Sequence, residues 1–186
     1  MINKILKYLV TVFIIVSVSI SCTKEMDFKQ VNDIQLSPVF ESSLVYIKEP
    51  ASRYLVGGTE IPTLQDSINI DFFKDDFIVE HLIKTEFLFQ ITNSINRAFQ
   101  VQVDMLDDAN QLQHTFSFSS TASPSNNDVV TEYLEVFEGD LLVALKNTTK
   151  LIFTVFILPG EPINQNTPGI IILKSKGTFY LNIERL

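Results

Sequence analysis

Residue types that carry most enzyme chemistry are scarce in this sequence. Its 186 residues include one cysteine, two histidines and no tryptophan. The histidines, His81 and His114, have no cysteine or carboxylate at the spacing of a zinc site, so we expect no metal site on them. The sequence also lacks a G-x-S-x-G elbow, a phosphate-binding glycine loop and a G-x-G-x-x-G fingerprint. These absences predict a non-catalytic protein without a cofactor.

Charged residues, and basic residues in particular, are also few. Only 19% of the residues are charged, and 22 acidic residues outnumber 14 basic ones. Low charge together with 46% apolar residues excludes a disordered chain and predicts one packed domain. The negative net charge argues against binding to nucleic acid or to anionic lipid. Glycine is scarce whereas phenylalanine is frequent, at 15 residues, and this composition favours β-strands.

The N-terminus carries the pattern of a secretory signal peptide. Lys4 and Lys7 precede an apolar run over residues 9–20, which is interrupted only by threonine and serine. A membrane-spanning helix needs about 20 apolar residues, so this run is short for one, although an uncleaved anchor is the alternative. We predict that residues 1–21 are a signal peptide.

The only cysteine follows this run directly, in the segment Ser19-Ile20-Ser21-Cys22. The segment resembles the lipobox of bacterial lipoproteins, in the looser form of the Bacteroidota, since the family most often has leucine where Ser19 stands. The resemblance implies that Cys22 carries acyl chains such as palmitate and becomes the first residue of a protein anchored in the outer membrane. The alternative is ordinary signal-peptidase cleavage, which would leave Cys22 as a free thiol.

A polar tether is predicted behind this cysteine, over residues 22–32. It contains Lys24, Glu25 and Asp27, which resemble a degenerate export signal of surface lipoproteins in the Bacteroidota. A plain solvated tether would be equally polar, so the choice between the periplasmic and the cell-surface side is left open. Removal of residues 1–21 would remove two lysines and no acid, which changes the formal charge from −8 to −10. We therefore expect acyl chains, rather than surface charge, to hold the protein at the membrane.

The remaining residues, 33–186, mostly alternate between apolar and polar and are predicted to form one domain. The clearest case runs from Phe99 to Met105, where the apolar side chains would share one face of a strand. Strands are predicted over residues 34–39, 42–48, 66–71, 84–92, 97–106, 111–119, 129–136, 150–158 and 169–184.

Two segments have helical spacing instead. A helix is predicted over residues 138–149, with acids at its start and lysines at its end, as the helix dipole favours. A weaker helical turn is predicted over residues 72–80. About nine short strands with one or two short helical crossovers predict a mainly β fold, a loosely immunoglobulin-like β-sandwich.

Two of the predicted strands are apolar on both faces, over residues 151–158 and 169–173. Such strands need a cover on the second face as well as the first. The helix over residues 138–149 is the cover that we expect. The alternative is a partner protein or an apolar ligand, because large exposed apolar patches mark interaction sites.

Several polar residues are candidate sites, each with a plainer structural interpretation. His114 shares a strand face with Phe116 and Phe118, so a core or edge histidine is favoured over a general base. Two acidic groups could bind calcium or act as paired carboxylates. They are Asp104, Asp107, Asp108 and Asn110, and Glu132, Glu135 and Glu138. The first group is better explained by a polar turn, and the second by the high acid content of the chain.

One short motif suits an exported protein. Asp66-Ser67-Ile68 resembles the acceptor for O-glycosylation in exported proteins of the Bacteroidota, which implies Ser67 as the modified residue. The plainer interpretation is a serine at the start of a strand.

The sequence leaves two functions open. The first is a lipid-anchored cell-envelope protein with a non-catalytic interaction or accessory role, bound to a protein partner in an outer-membrane assembly. The second is a binding protein for a small or apolar ligand that is held between the sheets. A hydrolase is a weaker third hypothesis, since it would require paired carboxylates in a polar pocket of the folded chain.

Overall fold

Two four-stranded sheets pack face to face in the computed structural model, which describes residues 35–183. The predicted signal peptide and tether lie outside the described residues. The strands are β1 (Val39–Pro50), β2 (Leu55–Val56), β3 (Thr59–Glu60), β4 (Thr63–Asn69), β5 (Leu82–Asn93), β6 (Phe99–Leu106), β7 (Leu112–Ser120), β8 (Val129–Phe137), β9 (Lys150–Ile157) and β10 (Ile170–Leu181). The helices are α1 (Asp76–His81) and α2 (Gly139–Lys146), and 3₁₀ turns occur at Ala51–Tyr54 and Phe72–Lys74.

The strand order is that of an eight-stranded jelly roll. The first sheet has the order β1-β10-β5-β8 and the second the order β4-β9-β6-β7, while β2 and β3 form a small separate hairpin. All pairs are antiparallel, and most connections cross from one sheet to the other. The predicted mainly β sandwich with short helices is confirmed. Its connectivity follows the jelly roll, with four strands in each sheet, rather than the four-plus-three order of an immunoglobulin constant domain.

The two central strands β5 and β6 bury every second side chain, as their alternation predicts. The buried side chains are Thr85, Phe87, Phe89 and Ile91 on β5, and Phe99, Val101, Val103 and Met105 on β6. None of them is more than 1% exposed. These side chains form the centre of the core between the two sheets.

The predicted strand over residues 42–48 lies within β1, whereas residues 35–38 precede β1 and form only the isolated bridge between Leu36 and Ile183. The predicted strand over residues 34–39 and the break after it are therefore wrong. The pairing of β1 with β10 shifts its register between Ser43 and Val45. An irregularity of this kind interrupts the inward–outward alternation while the strand continues. β1 continues through residues 40 and 41 without a turn, and the bulge lies further along the strand.

The predicted helix over residues 138–149 is confirmed as α2, but its predicted position is wrong. Its buried residues Leu142 and Leu145 pack at one end of the sandwich, where α2 contacts β5, β7 and β8. It does not cover the outer face of β9. There, Ile152 and Phe156 are half-buried among polar neighbours. Within residues 35–183, no helix has the length and apolar character needed to cross a membrane.

The weaker helical segment predicted over residues 72–80 is also present. It consists of the 3₁₀ turn Phe72–Lys74 followed by α1. The Asp75 carboxylate accepts hydrogen bonds from the backbone N–H groups of Phe77 and Ile78, at 2.9 and 3.3 Å. This cap fixes the start of α1, because it satisfies donors that have no partner within the helix.

Candidate functional site

Of the two predicted modification sites, only one lies within the described residues. The lipidation of Cys22, outside them, stays a prediction. Ser67 lies on the edge strand β4, and its exposed side chain points away from the second sheet's inner face. Its backbone N–H donates to Asp66 Oδ1 at 2.8 Å. The Ser67 hydroxyl is therefore accessible, as modification would require, and its glycosylation stays a prediction.

His114 joins the two sheets along one side of the sandwich. Its Nε2 donates to Glu135 Oε1 at 2.8 Å, and the Tyr133 hydroxyl donates to Glu135 Oε2. Burial and the Glu135 carboxylate raise the pKa of Tyr133 to about 12. His81 lies apart on α1, where its Nδ1 donates to the carbonyl oxygen of Phe77 at 2.8 Å. His114 thus occupies the position of an edge histidine.

The acidic groups singled out in the sequence serve the surrounding structure. Asp107 Oδ1 accepts from two backbone N–H groups of the turn between β6 and β7, and Asp104 accepts from neighbouring side chains. Glu132 accepts a hydrogen bond from a glutamine side chain on the outer face of the first sheet, whereas Glu135 faces the inside of the sandwich. A carboxylate oxygen of Glu138 lies 3.3 Å from the ammonium nitrogen of a lysine. In the described part of the chain, no three His, Cys, Asp or Glu side chains are grouped to hold a metal ion.

Aromatic rings fill the space between the sheets beside His114. Phe116 and Phe118 on β7 stack on Tyr133 of β8, with ring centroids 5.8 and 5.0 Å apart. Phe89 from the central strand β5 lies 5.1 Å from Phe118. We call this side of the sandwich, formed by β7 and β8, the closed edge.

The opposite side, formed by β1 and β4, leaves its apolar side chains half-buried. Leu44 and Ile47 on β1, and Leu64 and Ile68 on β4, pack against the core without being enclosed by it. Each of these strands has only one hydrogen-bonded neighbour among the described strands. We call this side the open edge.

A cavity of about 230 Å³ enters the sandwich at the open edge. One wall is formed by the first sheet, through Ile47, Ile91, Ile171 and Leu173. The other is formed by the second sheet, through Leu64, Val101, Phe153 and Val155. Because the walls include fully buried residues of the central strands, the cavity extends into the core. We call it the inter-sheet cavity.

The mouth of the inter-sheet cavity is polar. Glu49 on β1 pairs with the buried residue Ile171, and Asp66 on β4 pairs with the buried residue Phe153, so both carboxylates occupy inward positions on the two edge strands. Arg53 Nε lies 3.8 Å from Glu49 Oε2. The mouth therefore carries two carboxylates and one guanidinium, and only one carboxylate has an ion-pair partner there.

Tyr54 adds a buried hydroxyl to the cavity. The residue is 1% exposed, lines the cavity and packs its ring 5.1 Å from Phe99. Within residues 35–183, no group forms a hydrogen bond with its hydroxyl. The hydroxyl is nevertheless not fully enclosed, since the fully buried unpartnered hydroxyls belong to other residues. Burial, and secondly the charge of Glu49, raise the Tyr54 pKa, so the hydroxyl keeps its proton.

The connection between β1 and β4, which carries Tyr54, is held by a partly buried ion pair. Arg97 Nη2 lies 3.0 Å from Glu60 Oε1, and Glu60 Oε2 accepts from the backbone N–H of Ile163 at 2.6 Å. The Tyr54 carbonyl oxygen accepts from the backbone N–H of Ile61 at 2.9 Å. These contacts fix the Tyr54 side of the mouth.

A second cavity, of about 320 Å³, lies at the other end of the open edge. Phe40, Phe72 and Phe179 line it, with ring centroids 4.6 to 5.6 Å apart. Its one acidic lining residue, Glu41, is paired with Lys176 at 2.7 Å on the surface. This cavity has no buried polar group comparable to Tyr54 among its lining residues.

The sequence interpretation did not identify the residues at the mouth. Tyr54 lies in a 3₁₀ turn that no periodic pattern predicts. A signal was present on β4, where Leu64, Asp66 and Ile68 occupy alternate positions on one face. An acid in the apolar phase of a strand places a carboxylate on the inner side of the sheet, here at an exposed position of an edge strand, and that deviation marks a candidate site.

No protein-family model and no curated protein matches the chain. Among solved structures, the VP2 subviral particle of infectious bursal disease virus matches with 12% identity and a TM-score of 0.40, over 79% of this chain and 32% of that one. This chain thus spans about a third of that protein's length.

Two further solved structures have a similar level of likeness. One is a protein of Parabacteroides distasonis ATCC 8503 that is thought to be secreted, with 14% identity and a TM-score of 0.40, over 61% of this chain and 36% of that one. The other is Desmodium yellow mottle tymovirus, with 8% identity and a TM-score of 0.32, over 81% of this chain and 91% of that one.

Proposed function

We propose that this chain is a non-catalytic, lipid-anchored protein of the cell envelope that binds a small ligand between its two sheets. One observation carries the ligand-binding role: the inter-sheet cavity extends from the surface to core residues such as Ile91 and Phe153. A concave, mostly apolar site with a few polar groups is the usual form of a small-molecule site. The cavity thus favours the second of the two functions that the sequence leaves open.

The size of the cavity limits the ligand. A cavity of about 150 Å³ with apolar walls holds benzene, so 230 Å³ corresponds to a ligand of about nine non-hydrogen atoms. The walls are mainly aliphatic and would contact the apolar part of such a molecule. The polar mouth would contact its head.

Co-purification tests this function. The protein would be isolated from its native membranes, and its small molecules identified by extraction and mass spectrometry. Val155→Phe introduces a ring at the half-buried cavity wall, while Val130→Phe adds the same atoms on the exposed outer face of the first sheet. We expect a bound molecule with the unmodified protein and with Val130→Phe, and its loss with Val155→Phe. Equal recovery from both variants would contradict the proposal.

The anchor is proposed from the lipobox resemblance at Cys22. Two or three acyl chains would hold the protein firmly, because each buried methylene contributes about 0.8 kcal/mol. Residues 22–32 would reach about 35 Å when extended, so the domain would stay near the outer membrane. Cys22→Ala should abolish acyl labelling and release the protein from membranes. Membrane retention without an acyl label would contradict the anchor.

A protein partner in an envelope assembly is the second candidate, favoured by a specific surface. The outer face of the first sheet exposes Tyr46, Val130 and Leu134, each by more than half of its area. The same purification discriminates between the two candidates. A stoichiometric protein partner that Val130→Phe displaces would support this role, whereas a small molecule without protein supports ligand binding.

The O-glycosylation of Ser67 is a separate proposal, supported by its exposure on β4. The intact mass of the native protein tests it. A mass larger than sequence and lipid explain, which returns to the expected value in Ser67→Ala, would support the modification. A mass explained by sequence and lipid alone would exclude it.

A further inference from the structure

We infer that the inter-sheet cavity takes a small amphiphile whose head is a protonated amine. This inference rests on the proposed ligand-binding function and specifies the chemical class of the ligand. It is drawn from three polar residues that line the cavity, Glu49, Asp66 and Tyr54.

The charge at the mouth favours a cation. Glu49 and Asp66 occupy inward positions on opposite edge strands, one from each sheet. Arg53 lies beside Glu49, with its side chain 62% exposed, and compensates one of the two carboxylates. Asp66 has no such partner at the mouth, and its Oδ1 accepts only a backbone N–H, that of Ser67. A cationic head would therefore balance the remaining negative charge.

The hydrogen-bonding groups also match an amine. An ammonium group has three donors and no acceptor, and a carboxylate has only acceptors. The Tyr54 hydroxyl, which has no partner within residues 35–183, offers a further acceptor beside the apolar walls. A head that donates to Asp66 and to Tyr54 would give the Tyr54 hydroxyl a hydrogen-bond partner, which it lacks within residues 35–183.

Other heads fit less well. A carboxylate head would face Asp66, and the one cation at the mouth is already paired with Glu49. An alcohol head could donate only one hydrogen bond and would leave the negative charge uncompensated. Hydrogen bonds between charged groups are about twice as strong as those between neutral groups, so the amine should bind most tightly.

Three probes of matched shape separate these heads: 2-phenylethylamine, 2-phenylethanol and phenylacetate. The full-length chain, carried in lipid nanodiscs and labelled at isoleucine and valine methyl groups, would be titrated at neutral pH and low salt. Binding at the cavity would shift the methyl resonances of Ile91, Val101 and Val155. We expect the amine to bind at least about tenfold more tightly than the alcohol, and phenylacetate to bind most weakly.

Substitutions at the mouth test the origin of that preference. Asp66→Asn combined with Glu49→Gln removes both carboxylates and leaves Arg53 unpaired. The preference should then reverse, so that phenylacetate binds more tightly than the amine. Glu132→Gln, on the outer face of β8, is the matched control and should retain the order of the unmodified chain.

The outcomes separate the two proposals. Preference for the amine that reverses in the double variant supports the inference. If the alcohol binds as tightly as the amine at the same methyl groups, the amine head is wrong while the ligand site stands. If no probe shifts these methyl groups, both the amine head and the ligand site are contradicted.

Discussion

The closed edge and the open edge of the sandwich join the same two sheets in opposite ways. At the closed edge, rings from β7 and β8 stack with centroids 5.0 to 5.8 Å apart, and a Glu135 carboxylate binds both His114 and Tyr133. At the open edge, β1 and β4 contribute aliphatic side chains and two carboxylates, and the space between them is not filled.

This difference separates a side of the sandwich filled by stacked rings from a side that has unfilled space. Close packing accounts for a large share of folding stability, and each unfilled cavity forgoes contacts. At the closed edge Phe116, Phe118 and Tyr133 stack on one another, whereas the open edge has a cavity that reaches the core. A protein whose interior served only stability would have little reason to keep an unfilled cavity beside a well-filled edge.

The largest expected effect on stability comes from truncating one phenylalanine at each edge to alanine. Phe118→Ala removes a buried ring from the stack of the closed edge and should lower the free energy of unfolding by about 3–5 kcal/mol. Phe40→Ala, at the half-buried rim of the open edge, should cost about 1–2 kcal/mol because its ring is already partly solvated. Denaturant titration of both variants measures the difference. Equal costs would contradict the contrast between the edges.

Enlargement of two neighbouring valines should show the same contrast, with the smaller cost beside the cavity. Val101→Leu adds a methylene beside the inter-sheet cavity, and we expect a change within about 0.5 kcal/mol. Val103→Leu adds the same group two residues along the same strand face, among Phe116 and Phe153, and should cost about 1–3 kcal/mol. Thermal and denaturant unfolding of the two variants decides this. A larger cost at Val101 than at Val103 would show that the cavity is not available space.

Neutralisation of one carboxylate at each edge should also change the free energy of unfolding by different amounts. Glu135→Gln places an amide N–H₂ where two donors need acceptors, and we expect a loss of about 1–3 kcal/mol. Glu49→Gln disrupts only a partly exposed ion pair of 3.8 Å and should change stability by less than about 0.5 kcal/mol. Stability measured at neutral pH tests the pair of variants. A larger loss at Glu49 would refute the assignment of Glu135 as the structural carboxylate.

The smallest effect concerns pH. Folding raises the pKa of Tyr133 from its ordinary value of 10 to about 12, because burial and Glu135 disfavour the ionised ring. The stability that Tyr133 contributes is therefore complete below about pH 10, where it is neutral in both states, and is lost as the pH rises towards 12. Tyr133→Phe should weaken the loss of stability between these pH values. If the free energy of unfolding of Tyr133→Phe falls with pH as steeply as that of the unmodified protein, the ionisation of Tyr133 is not linked to unfolding.

Local patterns made much of the fold predictable. The alternation on β5 and β6 predicts both strands and their buried faces, and acids followed by lysines around an apolar stripe predict α2. These features depend only on neighbours along the chain. The first strand was bounded wrongly, because β1 continues through residues 40 and 41, where a break was predicted, and its register shift lies further along, between Ser43 and Val45.

The candidate site was much less predictable, since it depends on which edge strands meet. Nothing local to Glu49, Tyr54 or Asp66 indicates that they lie at one opening, and their sequence separation gives no periodic signal. The position of α2 was also mispredicted, because apolar residues on both faces of β9 suggested a cover where only polar neighbours flank them. Residue type predicts whether a side chain is buried more reliably than it predicts which element of the fold covers it.

The central claim is that the open edge contains ligand-accessible apolar space and the closed edge does not. Crystals of the protein under xenon pressure test this most directly, because xenon binds in apolar cavities and scatters X-rays strongly. We predict a xenon atom in the inter-sheet cavity, between Val101, Phe153 and Ile171, and none between Phe116 and Tyr133. An empty inter-sheet cavity, or xenon bound at the closed edge instead, would contradict the account.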